Sequence, residues 1–73
     1  MELSRLDKPL LKERAFTENL SSHGARVVTE REWRPRTTVL IFSPQAAWKS
    51  WAHIVYCQPL GTNTFAVGVE LLV

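Results

Sequence analysis

The amino-acid sequence predicts an all-β domain, a small antiparallel β-barrel of six strands. Short runs of β-branched and aromatic residues recur at roughly ten-residue spacing, and Gly, Pro, Asn and Ser mark turns between them. The chain has 73 residues, which is enough for one domain, residues 1–73, with a small core. Closure into a barrel is favoured because a small open sheet would leave apolar edges free to pair with other molecules.

The second half of the chain carries the clearer strand patterns. Residues 37–42 form a β-branched and aromatic run that stops at the turn signal Ser43–Pro44, and residues 48–57 form the next strand. Residues 64–73 are predicted as the last strand. Its core-facing residues are Phe65, Val67, Val69 and Leu71.

Alternation within residues 48–57 predicts which side chains share a face. One face holds Trp51, His53, Val55 and Cys57, and the other holds Ala52, Ile54 and Tyr56. Trp48 and Trp51 then lie on opposite faces, so one of them is expected to be exposed. Pro59, Gly61 and Asn63 predict the turn that follows, and Gly68 predicts a bend or a close backbone approach in the last strand.

The first half has weaker periodicity. Residues 1–5 predict a strand and residues 7–9 its turn. Residues 10–20 fit either a short helix or a strand, and we favour the strand because the flanking turns are short and everything downstream is β. A tight turn at residues 21–24, with Gly24 at positive φ, leads into a strand at 25–29.

The composition excludes several functional classes. One cysteine, Cys57, cannot form an internal disulfide, and no metal-ligand spacing, nucleophile elbow or phosphate-binding loop is present, so we expect neither an enzyme nor a metal or cofactor site. The net charge of +2 is too small to predict DNA or RNA binding. No apolar run is long enough for a membrane span and the N-terminus lacks a signal-peptide core, so we expect a cytoplasmic protein.

One segment carries a resemblance to a known family. Asn19, Ser21 and Gly24 match the pattern [D/N]-x-S-x-x-G and are followed by small and apolar residues that open a strand. Downstream, residues 51–57 and the Gly68-Val69-Glu70 run look like the middle and last strands of the same family. Together these features resemble PilZ domains over nearly the whole chain.

The resemblance implies a six-stranded barrel from a bacterial signalling protein. Such barrels bind the second messenger cyclic di-GMP on their outer surface and relay it to a protein partner. It assigns ligand contacts to Asn19, Ser21 and Gly24, with His23 as a weaker neighbour. These residue types fit that role, because an amide can pair with a base edge and glycine leaves room for a close approach.

The sequence departs from the family at its arginine motif, R-x-x-x-R, which clamps phosphates and guanines from the N-terminal side. Arg31, Arg34 and Arg36 have another spacing and follow the turn signature. Either the arginines lie upstream in a longer protein, with the barrel incomplete at its N-terminus here, or this member lacks them. We therefore expect cyclic di-GMP to bind this chain weakly or not at all. Tight binding would require another basic residue, Arg14 or Arg26, to replace the clamp.

The alternative function is a protein-interaction or homodimerisation module on the same barrel, without a nucleotide ligand. Exposed tryptophan and the missing clamp favour it. Residues 30–36 are predicted to be a polar connection. Its three arginines interleave with glutamates and Trp33, which is typical of a solvated loop and less often of an anion-binding patch.

Overall fold

The structure is a computed structural model that describes residues 1–5, 12–44 and 47–72. These residues form seven strands, which confirms the predicted all-β class. The strands are β1 (Glu2–Arg5), β2 (Lys12–Arg14), β3 (Phe16–Leu20), β4 (Gly24–Thr29), β5 (Thr38–Ser43), β6 (Trp48–Gly61) and β7 (Thr64–Leu71). In the described ranges no helix has the length and hydropathy needed to cross a bilayer.

The seven strands form one antiparallel sheet in the order β2-β1-β5-β6-β7-β4-β3. The two edge strands, β2 and β3, follow each other in the chain with only Ala15 between them. The backbone N–H of Ala15 donates to the Met1 carbonyl (2.7 Å), and the Met1 amino group donates to the Ala15 carbonyl (3.3 Å). Because one residue joins both edges, the sheet must curl, and it forms a half-barrel.

The predicted closed barrel of six strands is therefore wrong in strand number and in closure. We expected residues 10–20 to be one strand. Instead, the described part of that segment divides at the buried Ala15 into β2, which pairs with β1, and β3, which pairs with β4. The predicted turn at 7–9, the start of the segment at 10–11 and the last residue of the predicted final strand, Val73, lie outside the described residues.

The core fills the concave side of the sheet. Its largest fully buried side chains are Leu3, Ile41, Ile54, Val27, Val39, Val67 and Thr29. The predicted core face of β7 is confirmed: Val67, Val69 and Leu71 are buried, and Phe65 packs against the same cluster. Burial of these β-branched and aliphatic side chains is the main source of stability in so small a sheet.

A β-bulge changes the predicted faces of β6. Ile54 pairs with Val69, and Tyr56 pairs with Gly68, the next β7 residue towards the N-terminus, so Val55 is an extra residue. The predicted alternation holds up to Ile54, which is buried. Beyond the bulge it is wrong, because Tyr56 is exposed and Cys57 packs against the core.

The connections agree with the sequence in part. The turn at 21–24 and the polar connection at 30–36 are confirmed. The predicted turn after β6 is shorter than expected: Pro59 and Gly61 belong to the strand, and only Thr62 and Asn63 lie between β6 and β7. Asn63 takes the left-handed backbone conformation that such a tight turn requires, with φ 61°.

Candidate functional site

The four predicted ligand residues lie within one turn and its flanking strand ends. Asn19 is near the end of β3, Ser21 and His23 are in the turn, and Gly24 begins β4. Asn19, Ser21 and His23 are exposed, and Gly24 is half-buried. This is the end of the half-barrel at which β7 finishes, since the backbone N–H of Leu71 donates to the His23 carbonyl (2.8 Å).

Ser21 closes the turn with its own hydrogen bonds. Its backbone N–H donates to the Gly24 carbonyl (2.8 Å), and its hydroxyl oxygen accepts from the backbone N–H groups of His23 and Gly24, both at 3.3 Å. The hydroxyl also lies 3.3 Å from the Gly24 carbonyl, to which it can donate. A serine hydroxyl used in this way fixes the shape of a turn before any ligand arrives.

Gly24 is needed for space and not for a left-handed conformation. None of the three glycines has a positive φ, so the prediction of positive φ at Gly24 is wrong. Gly24 pairs with Glu70 in β7, and a Cβ at this position would overlap the carbonyl oxygen of Val69. The backbone of β4 therefore lies too close to that of β7 for any side chain here.

An open groove of about 750 Å³ adjoins the turn. Leu20, Trp48 and Leu71 supply its apolar surface. Its polar groups come from Lys49 and from four serines, Ser21, Ser22, Ser43 and Ser50. The described lining of the groove thus combines an indole, several hydroxyls and an ammonium group at the end of the half-barrel that carries the turn at residues 21–24.

Asn19 belongs to a second surface, the convex face of the sheet. It pairs in register with Arg26 of β4, so both side chains project from the same face. Arg26 is not among the four predicted ligand residues, although the sequence offers it, with Arg14, as a replacement for the missing arginine clamp. Its Nε donates to Glu18 Oε1 (3.0 Å), its Nη1 donates to the Tyr56 hydroxyl (3.0 Å), and its guanidinium carbon lies 5.9 Å from the centre of the Tyr56 ring.

These contacts favour the charged form of the guanidinium further. The hydrogen bond to Glu18, followed by that to Tyr56, raises the pKa of Arg26 above its ordinary value. Glu18 and Arg26 are both about two-fifths exposed, at 41% and 40%. The pair is therefore open to water and to any ligand on this face.

The opposite end of the half-barrel is closed by Trp33, which is buried. Its indole Nε1 donates to Glu13 Oε1 (2.9 Å), and the backbone N–H of Glu30 donates to the other Glu13 oxygen. A cleft of about 320 Å³ beside it is lined by Arg5, Glu32, Trp33, Arg34 and Thr37. The connection at 30–36 is thus anchored through Trp33, and it adds charged groups of both signs to the surface.

The tryptophans differ as the sequence predicted. Trp48 is half-buried against the core, whereas Trp51 is 45% exposed on the other face of β6. Within the residues that the structure describes, no three His, Cys, Asp or Glu side chains gather in a way that could hold a metal ion.

Comparison of the chain with known proteins finds no matching family model, no matching curated protein and no matching solved structure. The resemblance to PilZ domains therefore stays a prediction that rests on Asn19, Ser21, Gly24 and the downstream strands.

Proposed function

We propose that the chain is a bacterial signalling domain of the PilZ type. Its turn at residues 19–24 receives cyclic di-GMP, and the bound state is passed to a protein partner in the cytoplasm. The observation that supports this most directly is the hydrogen-bonded turn closed by Ser21, at the rim of a groove that contains Trp48 and Lys49.

The chemistry of this corner suits an anionic dinucleotide. The exposed Asn19 amide offers both a donor and an acceptor to a base edge. The Trp48 indole provides apolar surface for a base, and the Lys49 ammonium provides a charge for a phosphate. The turn is shaped in advance by Ser21, which lowers the entropic cost of binding.

The affinity is expected to be weak. Among the described residues the groove is lined by one lysine, Lys49, and a lysine is a point charge that does not reproduce the planar, bidentate donors of a pair of arginines. The sequence contains no R-x-x-x-R spacing to supply them. Binding by this chain should therefore depend strongly on each remaining polar contact.

The test is a calorimetric titration of the chain with cyclic di-GMP, with Asn19→Ala measured beside it. Loss of one or two hydrogen bonds should weaken binding about 3- to 30-fold. Gln58→Ala is the matched control, because it removes an exposed carboxamide from β6, which is separated from the β3 strand of Asn19 by β7 and β4. Its affinity should equal that of the wild type.

Two results would contradict the proposal. The first is the absence of heat when the folded wild-type chain is titrated to a large excess of ligand. The second is equal weakening by Asn19→Ala and Gln58→Ala, which would indicate a general effect of amide loss. Circular dichroism of all three proteins establishes that each is folded.

A second candidate function is self-association or docking of a protein through the edge strand β3. The observation that favours it is the exposure of Phe16 (73%) and Leu20 (54%) on a strand at the edge of the described sheet. Exposed apolar residues on an edge strand favour pairing with another chain. Sedimentation without nucleotide discriminates this function from the first, because association through β3 requires no ligand.

A further inference from the structure

The convex face of the sheet carries one continuous row of residues across four strands. Arg26 of β4 pairs with Asn19 of β3 on one side and with Gly68 of β7 on the other, and Gly68 pairs in turn with Tyr56 of β6. The row thus runs from the signature asparagine to an exposed phenol, with a guanidinium between them.

Besides the bulge at Val55, which turns Tyr56 to the convex face, a second bulge and one glycine create this arrangement. In β3, the register shifts between Thr17 and Asn19, so that Glu18 is an extra residue beside the Asn19–Arg26 pair. In β7, Gly68 has no side chain, and the Tyr56 ring occupies the space that a Cβ would fill. The bulge therefore places a carboxylate next to the guanidinium, and the glycine lets Tyr56 reach it from the far side.

Arg26 keeps unused binding capacity in this position. A guanidinium has five N–H donors, and the contacts with Glu18 and Tyr56 engage one on Nε and one on Nη1. Its side chain is 40% exposed, so a ligand on the convex face can reach it. Tyr56 fixes its orientation, which reduces the entropy lost when a ligand binds.

We propose that Arg26 binds a phosphodiester group of the ligand and that Glu18 competes with that phosphate for the guanidinium. This inference rests on the proposed function, because Asn19 beside Arg26 is the residue assigned to the base edge. A bidentate guanidinium–phosphate contact is a strong charge-assisted interaction. The exposed Glu18–Arg26 pair is weak, so a phosphate can displace the carboxylate.

The competition makes a prediction that a purely structural ion pair would not. Glu18→Gln removes the competing charge and should tighten cyclic di-GMP binding about two- to fivefold, the affinity equivalent of an exposed ion pair. Arg26→Gln should weaken binding about tenfold or more, and Arg26→Lys should weaken it less, because lysine keeps the charge but not the fork.

Matched controls lie at the other end of the half-barrel. Glu30→Gln and Arg31→Gln change the net charge by the same amounts at exposed positions beyond the end of β4. Neither should alter the affinity beyond the small effect of net charge. Cyclic di-AMP, which has the same phosphodiester ring with other bases, should respond to the Glu18 and Arg26 variants as cyclic di-GMP does, because those residues read the phosphate.

A nuclear magnetic resonance titration provides a readout at the residue itself. The Arg26 Nε–H signal should shift when the wild-type chain is titrated with cyclic di-GMP, and Tyr56→Phe should reduce the shift without unfolding the protein.

Failure of this inference is distinct from failure of the proposed function. If Asn19→Ala weakens binding while Arg26→Gln binds as the wild type does, only the role of Arg26 is overturned. If neither the wild type nor Glu18→Gln binds, both are overturned.

Discussion

At the scale of single residues, Gly24 and Gly68 each leave a space that another group occupies. A Cβ on Gly24 would overlap a backbone carbonyl oxygen, whereas a Cβ on Gly68 would overlap the ring of Tyr56. An exposed ring can turn away, but a carbonyl held within a sheet cannot. The two positions should therefore differ in their tolerance of a methyl group, although both are glycines in neighbouring strands.

We expect Gly24→Ala to lower the free energy of unfolding by about 1–3 kcal/mol, since the β4 and β7 backbones must separate to admit the methyl group. Gly61→Ala is the control, because nothing lies within 4 Å of its added Cβ, and it should change stability by less than about 0.5 kcal/mol. Urea denaturation of both variants measures the difference. Equal midpoints would show that Gly24 is not sterically constrained.

Gly24 also shows what the sequence could and could not predict. The pattern [D/N]-x-S-x-x-G correctly located a turn, because Asn, Ser and Gly are the residues that turns prefer. It gave the wrong reason for Gly24. A local pattern reports the conformation of its own segment, whereas the constraint on Gly24 comes from Val69, which is 45 positions further along the chain.

At the scale of strands, alternation of apolar residues predicted β7 well and β6 only in part. An alternating pattern cannot detect a bulge, because one extra residue moves every later side chain to the opposite face of the strand. For that reason Tyr56 was expected on the face of Ile54, although the structure places it beside Arg26 on the convex face. The contacts of Arg26 with Glu18 and Tyr56 were not predicted for the same reason, since they depend on two bulges and on the distant Gly68.

The β6–β7 hairpin gives a test at this scale. Asn63 has a φ of 61°, and a β-branched residue is strongly disfavoured in that conformation. We expect Asn63→Val to destabilise the protein by about 1–2 kcal/mol. Thr62→Val, at the neighbouring turn position that lacks a positive φ, should cost less than half as much. Thermal unfolding of both variants measures this, and equal losses would show that the left-handed turn is not the cause.

At the scale of the whole molecule, we expect the edges of the sheet to determine how the protein associates with other molecules. The sequence predicted closure because open edges associate, but the structure brings the edges together through one residue and leaves a half-barrel. Closure depends on the tilt and stagger of all the strands together. No local pattern in the sequence reports those quantities, so strand identity was predictable and closure was not.

The exposed edge predicts self-association. The Cα radius of gyration is 11.0 Å, close to the value of about 11 Å expected for a single globular chain of this length. We expect small-angle scattering at increasing protein concentration to show a rising radius of gyration as molecules pair through β3. Phe16→Lys should suppress that rise because it places a charge on the edge.

The control for this experiment is Leu60→Lys. Leu60 is also exposed, at 51%, but it lies near the end of β6, in the interior of the strand order. Its substitution should leave the concentration dependence unchanged. If Leu60→Lys suppresses association as strongly as Phe16→Lys does, general charge repulsion and not the β3 edge is responsible.

The graded exposure of the three tryptophans gives the protein an internal optical reporter. Trp33, which belongs to the connection at 30–36, is buried. Trp48 lines the groove beside the turn at residues 21–24, and Trp51 is exposed to solvent. An aqueous quencher should therefore extinguish the emission of Trp51 first and that of Trp33 last. A ligand bound in the groove would reduce the quenching of Trp48 alone. The fluorescence of the unlabelled chain can therefore report where on the half-barrel a molecule has bound.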